Sequence, residues 1–243
     1  MGENVAELRR DLAAAFRLAA YFGFHEGICN HLSCALDGEE GRFLLNPYGV
    51  HWSQMRASDL LVIDHRGTVH EGEGYAEDTA LQIHGALHRQ HPRAKVVLHT
   101  HMPYATALTC LEDGRLLPVH QNCLRFYGDI AYFDDYGGLA AGSDEGERIA
   151  EALGDKRVLF LANHGVVVVG PTIHEAFDDL YYLEQAARVQ VLAMQTGQPL
   201  KPVGDNVAAQ TFADPEGRRD EYTRAHFEAL KRVLDQEHPG YAE

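Results

Sequence analysis

The chain is poor in several things, and each shortage excludes a class of protein. Its four cysteines, Cys29, Cys34, Cys110 and Cys123, include no C-x-x-C pair. They read as reduced thiols of a cytoplasmic protein. Basic residues are few, 21 Lys and Arg against 36 Asp and Glu, for a net charge of −15, and no basic stripe is visible. That excludes a nucleic-acid binder. No apolar run approaches the ~18 residues that span a membrane. The opening MGENVAELRRDLAAAF carries Glu3, Glu7 and Asp11, so it reads as a helix and not as a signal peptide. A myristoylation signal is excluded because position 6 is Ala where the motif needs Ser or Thr. Internal repeats and low-complexity segments are also missing.

What is present is apolar patterning and histidine. At 45% hydrophobic and 23% charged, 243 residues suit one globular domain over 1–243, with 198–243 as a C-terminal loop and helix extension. Val5, Leu8, Leu12, Ala15, Phe16 and Ala19 recur at helical spacing and predict a helix over 4–22, ended by Gly23. Short strands are predicted at 32–36, 42–45, 60–63 and 68–70, an antiparallel meander. A helix over 80–90, capped by Asp78 or Thr79, stops before Pro92. Further helices are predicted at 104–111, 145–153, 173–196 and 219–235, with 200–218 as loop. Thr172 and Glu175 form a capping-box pattern ahead of the long helix.

The stretch Lys95–Tyr104, KVVLHTHMPY, carries the strongest chemical signal. In a strand, residues i and i+2 share a face, with Cα atoms roughly 6.8 Å apart, so His99 and His101 can converge on one metal ion. The alternative is two solvated histidines at a strand end, and a third ligand would decide. Val158–Leu161 and Val166–Val169 predict a buried hairpin joined by Asn163-His164-Gly165. A histidine where the chain must reverse is not explained by packing, and His164 is the candidate third ligand. A rival pair, His84 and His88, stands at i, i+4 on the predicted helix 80–90, but Gly85 replaces the Glu of H-E-x-x-H. One packed and one exposed histidine is the expectation there. Asn30 and Ser33, in Gly27–Ser33, suit either a plain connecting loop or a substrate-binding loop with short donors. His120 and Arg125 are polar among apolar neighbours and suit a wall or a substrate contact. Glu77, in the acidic loop Glu71–Asp78, is a candidate general acid/base or further ligand, against a solvated loop carboxylate.

Taken together, G-x-x-N-H-x-S at 27–33, N-P-x-G at 46–49, H-x-x-x-x-R-x-x-P at 84–92, V-x-H-T-H at 97–101 and A-N-H-G at 162–165 resemble the class II aldolase/adducin family over about residues 5–197. The resemblance implies an α/β fold, a three-layer α/β/α sandwich around a mostly antiparallel sheet. It also implies a homotetramer with active sites at subunit interfaces, and a divalent ion (Zn, Mn, Co or Fe) on His99, His101 and His164. Sugar-phosphate aldolases of the family carry Ser-Ser-Glu just before the helix, with the serines on the phosphate. Here the matching residues are Tyr75-Ala76-Glu77. Phosphate needs several donors to offset its desolvation, so the expected substrate is small and unphosphorylated. Leu116–Tyr136 and the C-terminal stretch resemble the bacterial adducin-like branch. That branch includes decarboxylases of hydroxylated aromatic acids and a non-heme iron oxygenase. The expected function is a metal-dependent carbon–carbon lyase that acts through a metal-stabilised enolate, with decarboxylation ahead of aldol cleavage. The rivals are an iron oxygenase on a hydroxy-aromatic acid and a non-catalytic adducin-like scaffold. The intact histidine set weighs against the scaffold.

Overall fold

The computed structural model describes residues 4–38, 41–138, 143–213 and 217–243, with backbone alone at 143 and 144. Met1-Gly2 and Glu3 lie outside these. Eight strands form one sheet: β1 (His31–Ala35), β2 (Arg42–Leu45), β3 (Leu61–Asp64), β4 (Val69–Glu71), β5 (Val96–Thr100), β6 (Ile130–Phe133), β7 (Val158–Leu161) and β8 (Gly165–Gly170). Their spatial order is β4-β3-β2-β1-β5-β8-β7-β6. The pairings are antiparallel apart from β6 with β7. The first four strands are the predicted meander, and β7–β8 is the predicted hairpin.

Helices cover both faces. On one lie α1 (Val5–Phe22), α3 (Pro103–Thr109), α5 (Ile173–Met194) and α7 (Arg219–Glu237). On the other lie α2 (Asp78–Gln90) and α4 (Ser143–Leu153). Strand alternation divides the core accordingly. Val96, Leu98, Val166, Val168 and Phe160 pack toward α1 and α5. Val97, Val167, Val169 and Leu159 pack toward α2 and α4. With both faces covered, the central strands read as continuous apolar runs. Each fully buried Val, Leu or Phe side chain contributes about 1.5–3 kcal/mol. This is the α/β, three-layer, mostly antiparallel architecture expected. Among the described residues no helix is long and apolar enough to cross a membrane.

Local signals set the helix ends. Asn4 caps α1 by accepting from the Ala6 amide at 3.2 Å, and Gly23 closes it in the left-handed region at φ 73°. Thr172 caps α5 through the Glu175 amide at 3.3 Å, but the Glu175 carboxylate turns to Arg219 at 3.1 Å. Two expectations need correction. Residues 205–211, read as loop for lack of strong periodicity, form a short helix, α6 (Asp205–Thr211), with Ala208 buried. At α2 neither Asp78 nor Thr79 is the cap. Glu77 takes the N-cap position, and its side chain makes no cap bond there.

Candidate metal centre

The histidine cluster forms at one end of the sheet, where β5 ends and β7 turns into β8. The register puts His99 opposite Val167 and His31 opposite His99. Asn163 takes a left-handed conformation (φ 55°), so the hairpin turns tightly enough to carry His164 over the end of β5. The His164 amide closes the turn on the Leu161 carbonyl at 3.1 Å. Gly165 is needed for contact and not for its φ angle. A Cβ there would lie 2.6 Å from His101 Cδ2 and 2.6 Å from the Thr100 carbonyl oxygen.

One ring nitrogen from each of His99, His101 and His164 falls within 4.8 Å of the other two. Ring centroids are 5.1 Å apart for His99–His101, and 4.8 Å for His164 with either. The outer bonds settle which nitrogen points in. His99 donates from Nδ1 to the Val166 carbonyl at 3.0 Å. His101 donates from Nδ1 to the Glu26 carboxylate at 2.7 Å. In a neutral ring such a bond leaves Nε2 as a lone pair, the arrangement metal-ligating histidines use. His101 Nε2 is buried and has no partner among the described residues. Burial, helped by neighbouring His164, holds His99 well below the ordinary histidine value. Burial, helped by His101, lowers His164 to about 4. These two rings are therefore neutral at pH 7, as metal binding requires. A buried, unpartnered nitrogen among neutral imidazoles fits a divalent ion and is costly without one.

The other candidates scatter. Glu77 comes close: its carboxylate lies 3.4 Å from His31 Nε2, and the His31 ring stacks on His99 with centroids 5.1 Å apart. Asn30 has φ 77° and is 3% exposed, and both of its side-chain polar atoms lack a partner among the described residues. Ser33 does not face a substrate. It is fully buried, and its hydroxyl is taken by His84 at 2.5 Å and His88 at 2.7 Å. That same contact corrects the reading of His84 and His88 as one packed and one exposed ring, since both are tied down. His120 Nδ1 accepts the Asn122 amide at 3.3 Å and caps a 3-10 turn over 121–126. Arg125 belongs to the opposite end of the sheet. It pairs with Asp178, lies 4.0 Å over the Tyr182 ring, and its carbonyl accepts from Arg157, the residue before β7 begins. There it lines a cavity of about 540 Å³, the size typical of ligand clefts. At the histidine end His99 is buried and His101 and His164 are partly exposed. Sequence reasoning missed Glu26 and His31. Glu26 carried no signal. His31 lay within the N-H-x-S motif, and its pairing with His99 across strands was not legible.

Comparison with known proteins places this fold in a class. Residues 10–191 match the family described as Class II Aldolase and Adducin N-terminal domain. The chain is 35% identical to a putative aldolase class 2 protein of Caulobacter vibrioides, over 98% of this chain and 92% of that one. It is 33% identical to mouse alpha-adducin over 94% of this chain, which spans only 33% of that protein. The structure of an L-fuculose 1-phosphate aldolase from Glaciozyma antarctica superposes with a TM-score of 0.85 at 28% identity, covering 98% of this chain and 95% of that one. The protein belongs to the class II aldolase/adducin family.

Proposed function

We propose that the protein is a divalent-metal-dependent carbon–carbon lyase for a small, unphosphorylated hydroxy or oxo acid, with decarboxylation favoured over aldol cleavage. One observation carries the reading: a buried, unpartnered His101 Nε2 stands among neutral imidazoles, one stacked ring away from the Glu77 carboxylate. His99, His101 and His164 would hold Zn, Mn, Co or Fe. The ion, when bound, supplies Lewis-acid stabilisation of charge on a chelated substrate oxygen.

The remaining work falls to the chain's own groups. Glu26 orients His101 through Nδ1. The unsatisfied Asn30 amide offers a donor and an acceptor to a carboxylate or hydroxyl. Glu77 carries the proton. In decarboxylation the bond to the carboxylate carbon breaks, its electron pair stays on the neighbouring carbon, and the Glu77 carboxyl proton quenches that carbon. In retro-aldol cleavage Glu77 takes the hydroxyl proton while the carbon–carbon pair passes to the enolate. Similarity to an L-fuculose 1-phosphate aldolase favours the aldol reaction. The missing serine pair before α2 weighs against a phosphorylated substrate. The partial exposure of His101 and His164 suits a site completed by a second subunit of a homotetramer. The full histidine set weighs against an adducin-like scaffold.

The test is metal analysis of chelator-free protein, followed by anaerobic carbon dioxide and aldehyde assays with Mn, Zn or Co on a panel of hydroxy and oxo acids. Turnover there supports the lyase. Oxygen uptake with iron as the only active metal replaces it with an oxygenase, and absence of both metal and turnover leaves a scaffold. Glu77→Gln should lower kcat by about 10²–10⁴. A parental rate would remove Glu77 from the mechanism.

A further inference from the structure

His101 is the single residue between β5, which ends at Thr100, and Met102, the N-cap of α3. At its other end α3 reaches the hairpin. The Thr109 carbonyl accepts the Asn163 amide at 2.9 Å, one residue before His164. A helix of seven residues is roughly 10 Å long, so α3 is a short strut with one candidate metal ligand at each end. The N-cap side chain of Met102 cannot accept a hydrogen bond, and Pro103 fills the first helical position. The next two amides, of Tyr104 and Ala105, have no carbonyl partner within the helix. The Glu184 carboxylate of α5 takes both. Oε1 accepts the Tyr104 amide at 2.8 Å, and Oε2 accepts the Ala105 amide at 2.9 Å.

Glu184 is 3% exposed, and a carboxylate in the core is costly unless donors offset it. A serine or aspartate at position 102 would cap α3 locally. That position lies in the core instead, with Met102 fully buried. The cap is thereby moved to α5, the helix that packs on β5 and β8. The move has a mechanical result. A local cap fixes a helix end only against its own backbone. Glu184 fixes α3 against α5, and through α5 against the strand that carries His99 and the strand that leaves the His164 turn. At the far end the bond from Asn163, whose φ of 55° makes the turn, ties the hairpin to the same strut.

We propose that Glu184 is a positioning residue for the metal centre: by anchoring α3 to α5 it holds His101 and His164 at the spacing one ion requires. It forms no hydrogen bond to a ligand histidine and acts through the two ends of α3. This role presupposes the reading of His99, His101 and His164 as the ligands of one ion. By linkage the coupling runs both ways, so an ion that sets the ligand spacing also tightens the two Glu184 bonds.

Zinc affinity of the full chain is measured by competition with a chromophoric chelator, alongside the visible spectrum of the cobalt-loaded protein, which reports ligand geometry. The parent protein should bind a zinc ion that His101→Ala loses. If it binds none, the ligand reading fails first and the Glu184 role with it. Glu184→Ala should weaken zinc binding by about 10–100-fold and alter the cobalt spectrum. Glu184→Gln keeps one acceptor and should fall between. Thr172→Ala removes a helix cap at the start of α5, where no ligand is attached, and should keep the parental affinity. A folded Glu184→Ala protein with parental affinity and spectrum confines Glu184 to stability and overturns the proposal. An equal loss in Thr172→Ala overturns it as well. Amide hydrogen exchange of the parent, with and without zinc, needs no variant to fold. Tyr104 and Ala105 should exchange several-fold more slowly with zinc bound, and unchanged rates overturn the proposal.

Discussion

The two ends of the sheet hold two polar clusters of opposite character. At the far end Arg93, Arg125, Arg157 and Arg219 are each held by a carboxylate, from Asp129, Asp178, Asp179 or Glu175. Single atoms there, Arg125 Nε and Asp179 Oδ1, are left over, but every group is paired. At the histidine end valences stay open: among the described residues the whole Asn30 amide and His101 Nε2 are buried without partners. Burial of polar groups costs stability unless hydrogen bonds offset it. A cluster that closes on itself is therefore structural. One that keeps buried valences open is matched to something the chain does not itself supply. A cavity of about 540 Å³ borders the paired cluster, so cavity size by itself does not mark the histidine end.

The contrast can be broken at either end. The largest effect is expected from His101→Ala. It should remove stoichiometric metal, a loss of more than about 100-fold in affinity, with apo-protein melting unchanged or raised because an unpartnered buried nitrogen disappears. Metal content after dialysis and a thermal melt check both halves. Asp179→Ala at the other end should do the reverse. Asp179 is 1% exposed and holds both Arg157 (2.8 Å) and Arg219 (2.6 Å), so its loss should cost about 3–5 kcal/mol of stability. Denaturant unfolding measures that, and metal binding should be kept. Glu26→Gln weakens the orienting bond to His101 and should reduce metal affinity by about 10–100-fold, read by competition with a chromophoric chelator.

The smallest effect concerns pH. His88 has its folded value lowered from 6.5 to about 4, so the native state keeps it neutral where the unfolded chain binds a proton. Its stabilisation is complete above about 6.5 and is lost as pH falls toward 4, by about 1–3 kcal/mol. His88→Gln, which keeps polar contacts without titrating, should flatten the urea-midpoint profile between those values.

Much of the architecture was legible before any coordinates. Helical and strand periods are local, so α1, the β3–β4 turn, the β7–β8 hairpin and α5 follow from residues near one another. His99 and His101 share a face because of strand pitch, and His164 was suspect because it sat in a turn. α6 escaped because seven residues with one buried alanine give almost no periodic signal. Arg125 and Ser33 could not be placed from the sequence, because a polar residue among apolar ones looks the same whether it faces a substrate or a buried partner.

The sequence by itself determined the layers, the strand pattern and the three histidines, because repeat spacing and residue type act over a few residues. Only the tertiary structure decided which nitrogen His99 and His101 present, that Glu26 orients His101, and that His31 stands between Glu77 and His99. Only it joined Ser33 to a helix some 50 residues away. The physical reason is that hydrogen-bond direction and burial belong to neighbours in space, and the sheet's register brought those neighbours together.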